Sequence, residues 1–156
     1  MTPSISGFTF LRNGVELGFP FEESIRSLLP LVDEFVIAVD KGNDSTWERL
    51  QALGDAKIRL IETRWNERMS HRGFVYAQQK MIAQYACTGD WAFYLEGDEV
   101  LHEAELDNIR QSLLRRRGIG VECNHNPAQP VFDPHGGQGD LVFTKRLVRG
   151  HGGRTA

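Results

Sequence analysis

The chain has 156 residues, of which 40% are hydrophobic and 25% charged, and its formal net charge is −3 at pH 7. This composition is typical of a globular protein, and the length suits one domain with a buried core. The negative charge excludes the broad basic surface with which proteins bind nucleic acid or anionic lipid, so we expect no nucleic-acid partner.

Apolar runs and amphipathic stretches alternate from the amino terminus. Residues 4–11 (SISGFTFL) form a predicted strand that ends at an Asn13-Gly14 turn signal. Helical spacing of apolar residues follows over residues 21–32, with Pro30 expected to end or kink the helix. Residues 34–39 (EFVIAV) are a short β-branched run of the kind found in buried parallel strands.

The same alternation continues in the middle of the chain. After a polar loop, a short helix is predicted from about residue 47 to residue 53, with Asp44 or Ser45 as its cap. Residues 57–62 (KIRLIE) form a third predicted strand. A longer helix is predicted over about residues 73–87, and five residues mark its expected apolar face: Phe74, Ala77, Met81, Ile82 and Tyr85.

A fourth strand is predicted at residues 91–95 (WAFYL), before a last helix marked by Leu106, Ile109 and Leu113. Strands separated by helices imply right-handed crossovers and a mostly parallel sheet that is covered on both faces. The sequence therefore predicts an α/β fold.

The composition changes after Arg117. Residues 118–156 hold eight of the sixteen glycines, three of the six prolines and three of the five histidines, and only residues 139–148 have the pattern of a strand or hairpin. We therefore predict a folded domain at residues 1–117 and an irregular or poorly ordered tail at residues 118–156.

The sequence also carries signals about location. No stretch approaches the roughly 20 apolar residues that span a membrane, so we predict no integral membrane segment. The amino-terminal residues lack the pattern of a secretory signal. Cys87 and Cys123 form neither a CxxC pair nor a disulfide framework, and we interpret them as free thiols. These features predict a cytoplasmic protein.

Polar residues follow the predicted strands at the edge where open parallel sheets bind ligands. The first strand runs into Asn13, the second into Asp40, and the fourth into residues 96–99 (EGDE). Three carboxylates in four residues repel one another unless a cation or solvent reduces the repulsion. Mg²⁺ or Mn²⁺ binds a few carboxylates together with substrate phosphates. We expect Gly97 to give the backbone the freedom to aim its neighbours at one point.

Each of these residues also has a purely structural interpretation, which the sequence leaves open. The acidic cluster suits a solvated turn that caps the next helix. Asp40 suits a cap of its own loop, and Asn13 suits an Asn-Gly turn. Missing motifs disfavour two classes of nucleotide-binding enzyme. The chain has neither GxGxxG after the first strand nor GxxxxGK[ST]. Their absence disfavours a dinucleotide dehydrogenase and a P-loop NTPase.

Three blocks of sequence occur in a fixed order. Asn13 lies in the turn after the first strand, and Asp40 begins the loop after the second. A helix with Gly73 and Ala77 then leads through Gly-Asp-Trp into the strand that ends in residues 96–99. In this order and spacing, residues 5–114 resemble family 2 glycosyltransferases. The last block resembles their D-x-D-D motif, with glutamate in place of the first aspartate.

The resemblance implies a GT-A fold, a Rossmann-like parallel sheet flanked by helices and here apparently incomplete at the carboxyl terminus. It implies a nucleotide-diphosphate sugar donor bound by Asn13, Asp40 and Glu96, with Asp98 on a divalent metal, Mg or Mn. It also implies inverting transfer of a sugar to a hydroxyl acceptor, which is a glycan, a lipid or another alcohol. No segment after residue 118 matches the acceptor half of the family, so the catalytic base is unknown.

Two other functions remain open on the sequence. One is a truncated, catalytically incompetent module that binds the nucleotide sugar, which the missing acceptor half favours. The other is a GT-A-like nucleotidyltransferase, which the lack of an early glycine-rich basic loop disfavours. We also predict that the tail is foreign to the fold, with a long acceptor loop as the alternative.

Overall fold

Strands and helices alternate along the computed structural model, which describes residues 3–115 and 142–143. Two short 3₁₀ turns, Glu67–Met69 and His71–Gly73, connect the third strand to the third α-helix. The elements in chain order are β1 (Ile5–Leu11), α1 (Phe21–Leu28), β2 (Glu34–Asp40), α2 (Thr46–Ala52), β3 (Ile58–Thr63), α3 (Phe74–Ala86), β4 (Trp91–Tyr94), α4 (Glu105–Arg115) and β5 (Val142–Phe143).

The sheet has the strand order β3-β2-β1-β4-β5. The pairs β3–β2, β2–β1 and β1–β4 are parallel, whereas β5 pairs antiparallel with β4. The chain first adds strands on one side of β1 and then crosses to its other side with β4. Ligands bind at such a switch point, beyond the carboxyl ends of the strands. The predicted α/β fold with a mostly parallel sheet is confirmed.

The sheet is covered by apolar side chains on both faces. Phe35, Ile37 and Val39 of β2 pack on the side of α1 and α2, while Val36 and Ala38 pack on the side of α3. All five are completely buried. A strand buried on both faces reads as a continuous apolar run because both of its faces are in the core. The predicted strand at residues 34–39 is confirmed for this reason.

The predicted apolar face of α3 is wrong for most of its residues. Phe74 is 59% exposed, Met81 45% and Tyr85 68%, and Ala77 is exposed as well; of the predicted five, Ile82 packs against the core. The face against the sheet consists of Val75, Gln79 and Ala83. This helix has apolar residues around most of its circumference, so periodicity identified the helix but not its rotation.

The end of the sheet opposite to the carboxyl ends is held together by Glu34. Its carboxylate accepts hydrogen bonds from Ser6 Oγ at 2.6 Å and from the backbone N–H of Thr88 at 2.5 Å, and it pairs with Arg59 at 3.2 Å. Partial burial disfavours the charged form, but these hydrogen bonds outweigh it and lower the pKa of Glu34 to about 2. One carboxylate thus links β1, β2, β3 and the turn before β4.

The predicted tail lies outside the described residues except at one point. Within residues 139–148, where the sequence has the pattern of a strand, Val142 and Phe143 pair with Phe93 and Ala92 of β4. The predicted boundary at residue 117 and the predicted irregular tail lie outside the described residues. In the part that is described, none of the helices combines the length and the apolar character that crossing a membrane requires.

Candidate functional site

A pocket of about 860 Å³ opens at the carboxyl edge of the sheet, at the switch point between β1 and β4. One wall is the end of β1 with the loop after it, which includes Asn13. The opposite wall is formed by Tyr94 and residues 96–98, and Trp65 and Tyr76 close the α3 side. A concave site of this size at this position is suited to a small-molecule ligand.

Three of the four predicted site residues, Asn13, Glu96 and Asp98, line this pocket together. The fourth, Asp40, is not one of its described lining residues. Its carboxylate accepts the backbone N–H of Trp65 at 2.6 Å and that of Gly42 at 2.9 Å. Asp40 therefore caps its own loop, and it also anchors Trp65 to the end of β2. Direct contact of Asp40 with a nucleotide stays a prediction.

Asn13 joins two loops at the carboxyl edge. It lies in the left-handed region with φ 51°, which non-glycine residues seldom adopt. Its Oδ1 accepts the backbone N–H of Asn43 at 3.0 Å, and its Nδ2 donates to Glu16 at 2.8 Å. A Cβ atom on Gly42 would lie 1.8 Å from Asn13 Oδ1, and Gly42 has φ +58°. Glycine is therefore required at residue 42 for both space and conformation.

The acidic cluster after β4 forms a tight turn. The backbone N–H of Glu99 donates to the Glu96 carbonyl at 3.1 Å, and Ser24 Oγ of α1 donates to the same carbonyl at 3.0 Å. The Glu99 carboxylate turns back to the backbone N–H of Glu96 at 3.3 Å. Among the described residues, no three metal-ligating side chains converge on one point. Glu96 and Asp98 are the carboxylates of this cluster that line the pocket.

Gly97 is needed for a different reason than the predicted one. Its backbone lies outside the left-handed region, so conformational freedom is not what this position requires. A Cβ atom there would lie 2.5 Å from Cδ2 of the buried Leu11. The turn after β4 therefore packs directly against the end of β1, which brings Glu96 and Asp98 close to the β1 wall of the pocket.

Known proteins resemble the chain in structure rather than in sequence. No family model and no curated protein sequence matches it. S. aureus TarS superposes with a TM-score of 0.57 at 13% identity, over 72% of this chain and 33% of TarS. TarS has also been crystallised with UDP-GlcNAc. The mannosyltransferase PcManGT from Pyrobaculum calidifontis, in complex with GDP-Man and Mn²⁺, superposes with a TM-score of 0.55 at 18% identity, over 70% of this chain and 32% of that one.

A third solved structure is 4-diphosphocytidyl-2C-methyl-D-erythritol synthase from Anaerococcus prevotii. It superposes with a TM-score of 0.51 at 12% identity, over 74% of this chain and 52% of that one. The described part of this chain has the GT-A fold. The predicted likeness to GT-A glycosyltransferases is therefore confirmed for the fold. The chain spans about a third of the length of TarS and of PcManGT.

Four aromatic side chains form a continuous wall of the GT-A pocket. Phe10 lies between Trp65 and Tyr94, with ring centroids 6.2 Å and 6.4 Å away, and Trp65 meets Tyr76 edge to face at 5.2 Å. The guanidinium of Arg12 lies 5.3 Å from the Trp65 ring centroid and pairs with Glu67. Flat apolar faces of this kind can stack on a planar ring.

Sequence reasoning missed this aromatic wall because its members come from separate elements. Trp65 lies in a loop with no sequence pattern of its own, and Tyr76 was not part of the apolar face predicted for α3. The hydrogen bond from Trp65 to Asp40 brings the loop to the sheet edge. The sequence did carry one signal for the aromatic wall, because Phe10 and Tyr94 lie near the ends of two predicted strands.

The acidic cluster also acts on the side chain of Tyr94. Burial raises the pKa of this phenol, and the negative charges of Glu96, Glu99 and Asp98 raise the pKa further. Tyr94 and Glu96 line the same pocket. The acidic turn therefore favours the neutral form of the Tyr94 phenol.

The residues at this edge fit a divalent cation. Mg²⁺ and Mn²⁺ bind oxygen ligands, and they are commonly held by one or two carboxylates while substrate phosphates complete the coordination. Glu96 and Asp98 line one open pocket in the GT-A fold, which leaves room for a diphosphate beside them.

Proposed function

We propose that this chain binds a nucleotide-diphosphate sugar together with a divalent cation, as the donor-binding part of a glycosyltransferase. The observation that carries this proposal is the pocket at the β1–β4 switch point of a GT-A fold. Asn13 lies on one wall of this pocket, and Glu96 and Asp98 lie on the other. The proposed reaction transfers the sugar to a hydroxyl acceptor with inversion.

Glu96 and Asp98 hold the cation in this proposal, and the bound cation offsets the charge that develops on the leaving diphosphate. Asp98 carries most of this role. Glu96 lines the same pocket, with a side chain one methylene longer than aspartate. No described residue is assigned as the base that accepts the acceptor's proton.

The nucleoside end of the donor is assigned to the β1 side of the pocket. Asn13 presents polar atoms there, and the rings of Phe10 and Trp65 present apolar faces on which a base can stack. Asp40 supports this end by holding Trp65, and direct contact with base or ribose is part of the proposal. TarS with UDP-GlcNAc and PcManGT with GDP-Man support a nucleoside-diphosphate sugar as the ligand class.

The first test is a thermal-shift and calorimetric screen of UDP, GDP and their sugars, each with Mn²⁺, Mg²⁺ or EDTA. A ligand at a hundredfold excess over its Kd stabilises the native state by about 2.7 kcal/mol, which a melting curve resolves. We expect UDP or GDP to bind and to require the divalent cation. Absence of binding under every condition contradicts the proposal.

A second assay distinguishes a glycosyltransferase from a donor-binding module and from a nucleotidyltransferase. Release of UDP or GDP from a bound donor in the presence of an alcohol acceptor supports a glycosyltransferase. Tight metal-dependent binding without release under any acceptor supports a donor-binding module. Release of pyrophosphate from a nucleoside triphosphate supports a nucleotidyltransferase, and this arm is needed because the synthase from A. prevotii shares the fold.

A further inference from the structure

Lys80 is the one charged residue in the α3 sequence FVYAQQKMIAQYA. Its side chain is half-buried, and its ammonium nitrogen lies 3.5 Å from the centroid of the Tyr94 ring. An ammonium in this position is attracted by the negative face of the ring. Tyr94 lines the pocket together with Glu96. The ammonium of Lys80 on α3 thus lies against a residue of the pocket lining, just before the acidic turn.

The acidic cluster acts on this ammonium. Burial lowers the pKa of Lys80, and the negative charges of Glu96 and Glu99 oppose that effect by favouring its charged form. A buried lysine commonly persists when carboxylates stabilise its charge. The position of Lys80 is therefore coupled electrostatically to the same carboxylates that line the pocket.

The charges in a pocket that holds a metal ion and a donor show why the ammonium of Lys80 matters. A divalent metal ion and the diphosphate of a donor largely neutralise each other. The carboxylates of Glu96, Asp98 and Glu99 then keep their negative charge beside the bound diphosphate. Arg12 is engaged by Glu67 and by the Trp65 ring. A fixed positive charge near the cluster reduces the remaining repulsion.

We propose that Lys80 is a positioning residue of the donor site, which holds the Tyr94 ring at the pocket and supplies the positive charge that lets a metal-bound diphosphate lie beside the acidic cluster. This inference rests on the proposed function. It assigns to α3 a role in donor binding, although Lys80 itself is not one of the described residues that line the pocket.

The proposal predicts two effects of opposite sign for Lys80→Met, which keeps the side-chain length and removes the charge. The affinity for UDP or GDP at saturating Mn²⁺ falls by about tenfold, because the diphosphate loses a favourable charge. The affinity for Mn²⁺ alone rises by about threefold, because a cation that repels the metal ion has been removed. A lysine that only supports the fold would lower both affinities.

The experiment uses the full chain, with calorimetry for the nucleotide and paramagnetic resonance of free Mn²⁺ for the metal. Lys80→Arg keeps the charge and is expected to retain both affinities. Lys57→Met is the matched control, because Lys57 lies at the opposite end of the sheet and binds the carbonyls of Leu29 and Val32. It is expected to leave both affinities unchanged.

Each outcome decides a different question. Unchanged nucleotide affinity in Lys80→Met, with wild type binding normally, overturns the role of Lys80 and leaves the proposed function standing. Loss of both affinities in Lys80→Met assigns the residue a structural role and also overturns the inference. Failure of the wild-type chain to bind UDP or GDP with Mn²⁺ overturns the proposed function, and the role of Lys80 with it.

Discussion

At the scale of single residues, Asp98 is the side chain whose charge the proposed cation depends on most. It is exposed at the pocket wall, so Asp98→Asn keeps the size of the side chain and changes stability by less than about 0.5 kcal/mol. We expect the variant to lose the Mn²⁺-dependent part of its UDP or GDP affinity, which calorimetry with Mn²⁺ and with EDTA measures.

Asp107→Asn is the matched control for this experiment, since Asp107 is an exposed aspartate of α4. We expect it to bind the nucleotide as the wild type does. Glu96→Gln is expected to weaken metal-dependent binding less than Asp98→Asn, because the extra methylene of glutamate shifts its carboxylate and Asp98 carries most of the charge on the cation. Full Mn²⁺-dependent affinity in Asp98→Asn would remove Asp98 from the site.

The contribution of Glu34 to the stability of the fold should depend on pH. Its pKa in the folded state is about 2, lowered from an ordinary value of 4.5. A lowered carboxyl pKa contributes stability that is complete above the unfolded-state value, so the contribution is lost as the pH falls from about 4.5 to about 2. Because this carboxylate is only partly buried, solvent screening reduces the contribution to about 1–2 kcal/mol.

The measurement compares urea unfolding of the wild type and Glu34→Gln between pH 7 and pH 3. We expect the variant to be less stable at pH 7, and we expect the difference to shrink as the pH falls below 4.5. A difference that stays constant over this range would show that the hydrogen bonds of Glu34 do not depend on its charge.

At the scale of elements, the loops after β1 and β2 fold as one unit through Asn13 and Gly42. Gly42→Ala places a methyl group onto Asn13 Oδ1 in a left-handed backbone conformation. We expect it to cost about 1–2 kcal/mol for the backbone and about 1 kcal/mol for the broken hydrogen bond to Asn43. Because Asn13 lines the pocket, nucleotide affinity should also fall.

Gly54→Ala is the control that isolates the backbone term. Gly54 has a similar φ of +62°, but the nearest atom to its added Cβ is 3.8 Å away. We expect this variant to lose only the first contribution and to keep its nucleotide affinity. Equal urea midpoints and equal affinities for the two variants would show that the contact with Asn13 contributes neither to stability nor to nucleotide binding.

At the scale of the whole molecule, the question is whether the residues after Arg117 belong to the donor site. Val142 and Phe143 extend the sheet beside β4, on the side away from β1. We predict that a chain ending at Arg117 keeps its nucleotide affinity in Mn²⁺ within about twofold, because the described pocket is lined by residues 10–98. Its melting temperature should fall by a few degrees, since the edge of β4 loses a neighbour.

Hydrogen exchange in the full chain also tests whether the residues after Arg117 belong to the donor site. We predict that hydrogen exchange finds the amides of residues 118–134 unprotected, as expected for an irregular tail. Protection equal to that of the sheet, together with lost binding in the shortened chain, would favour the alternative of an acceptor loop.

The sequence by itself determined the order and the bounds of the elements, because those depend on local chemistry. Pro30 follows the end of α1, Gly54 with φ +62° follows α2, and the apolar run of β2 has the length of a buried strand. Polar residues at three strand ends indicated the edge of the sheet at which the pocket lies. Three of the four predicted site residues lie in that pocket for this reason.

The tertiary structure decided what depends on contacts between distant segments. Several rotations of α3 bury apolar side chains, and only packing against the sheet shows that Gln79 faces inward and Tyr85 faces outward. Asp40 holds Trp65, which lies 25 residues further along the chain, and Lys80 meets Tyr94 across two elements. No local pattern encodes such pairs, because their geometry exists only once the strands are ordered β3-β2-β1-β4.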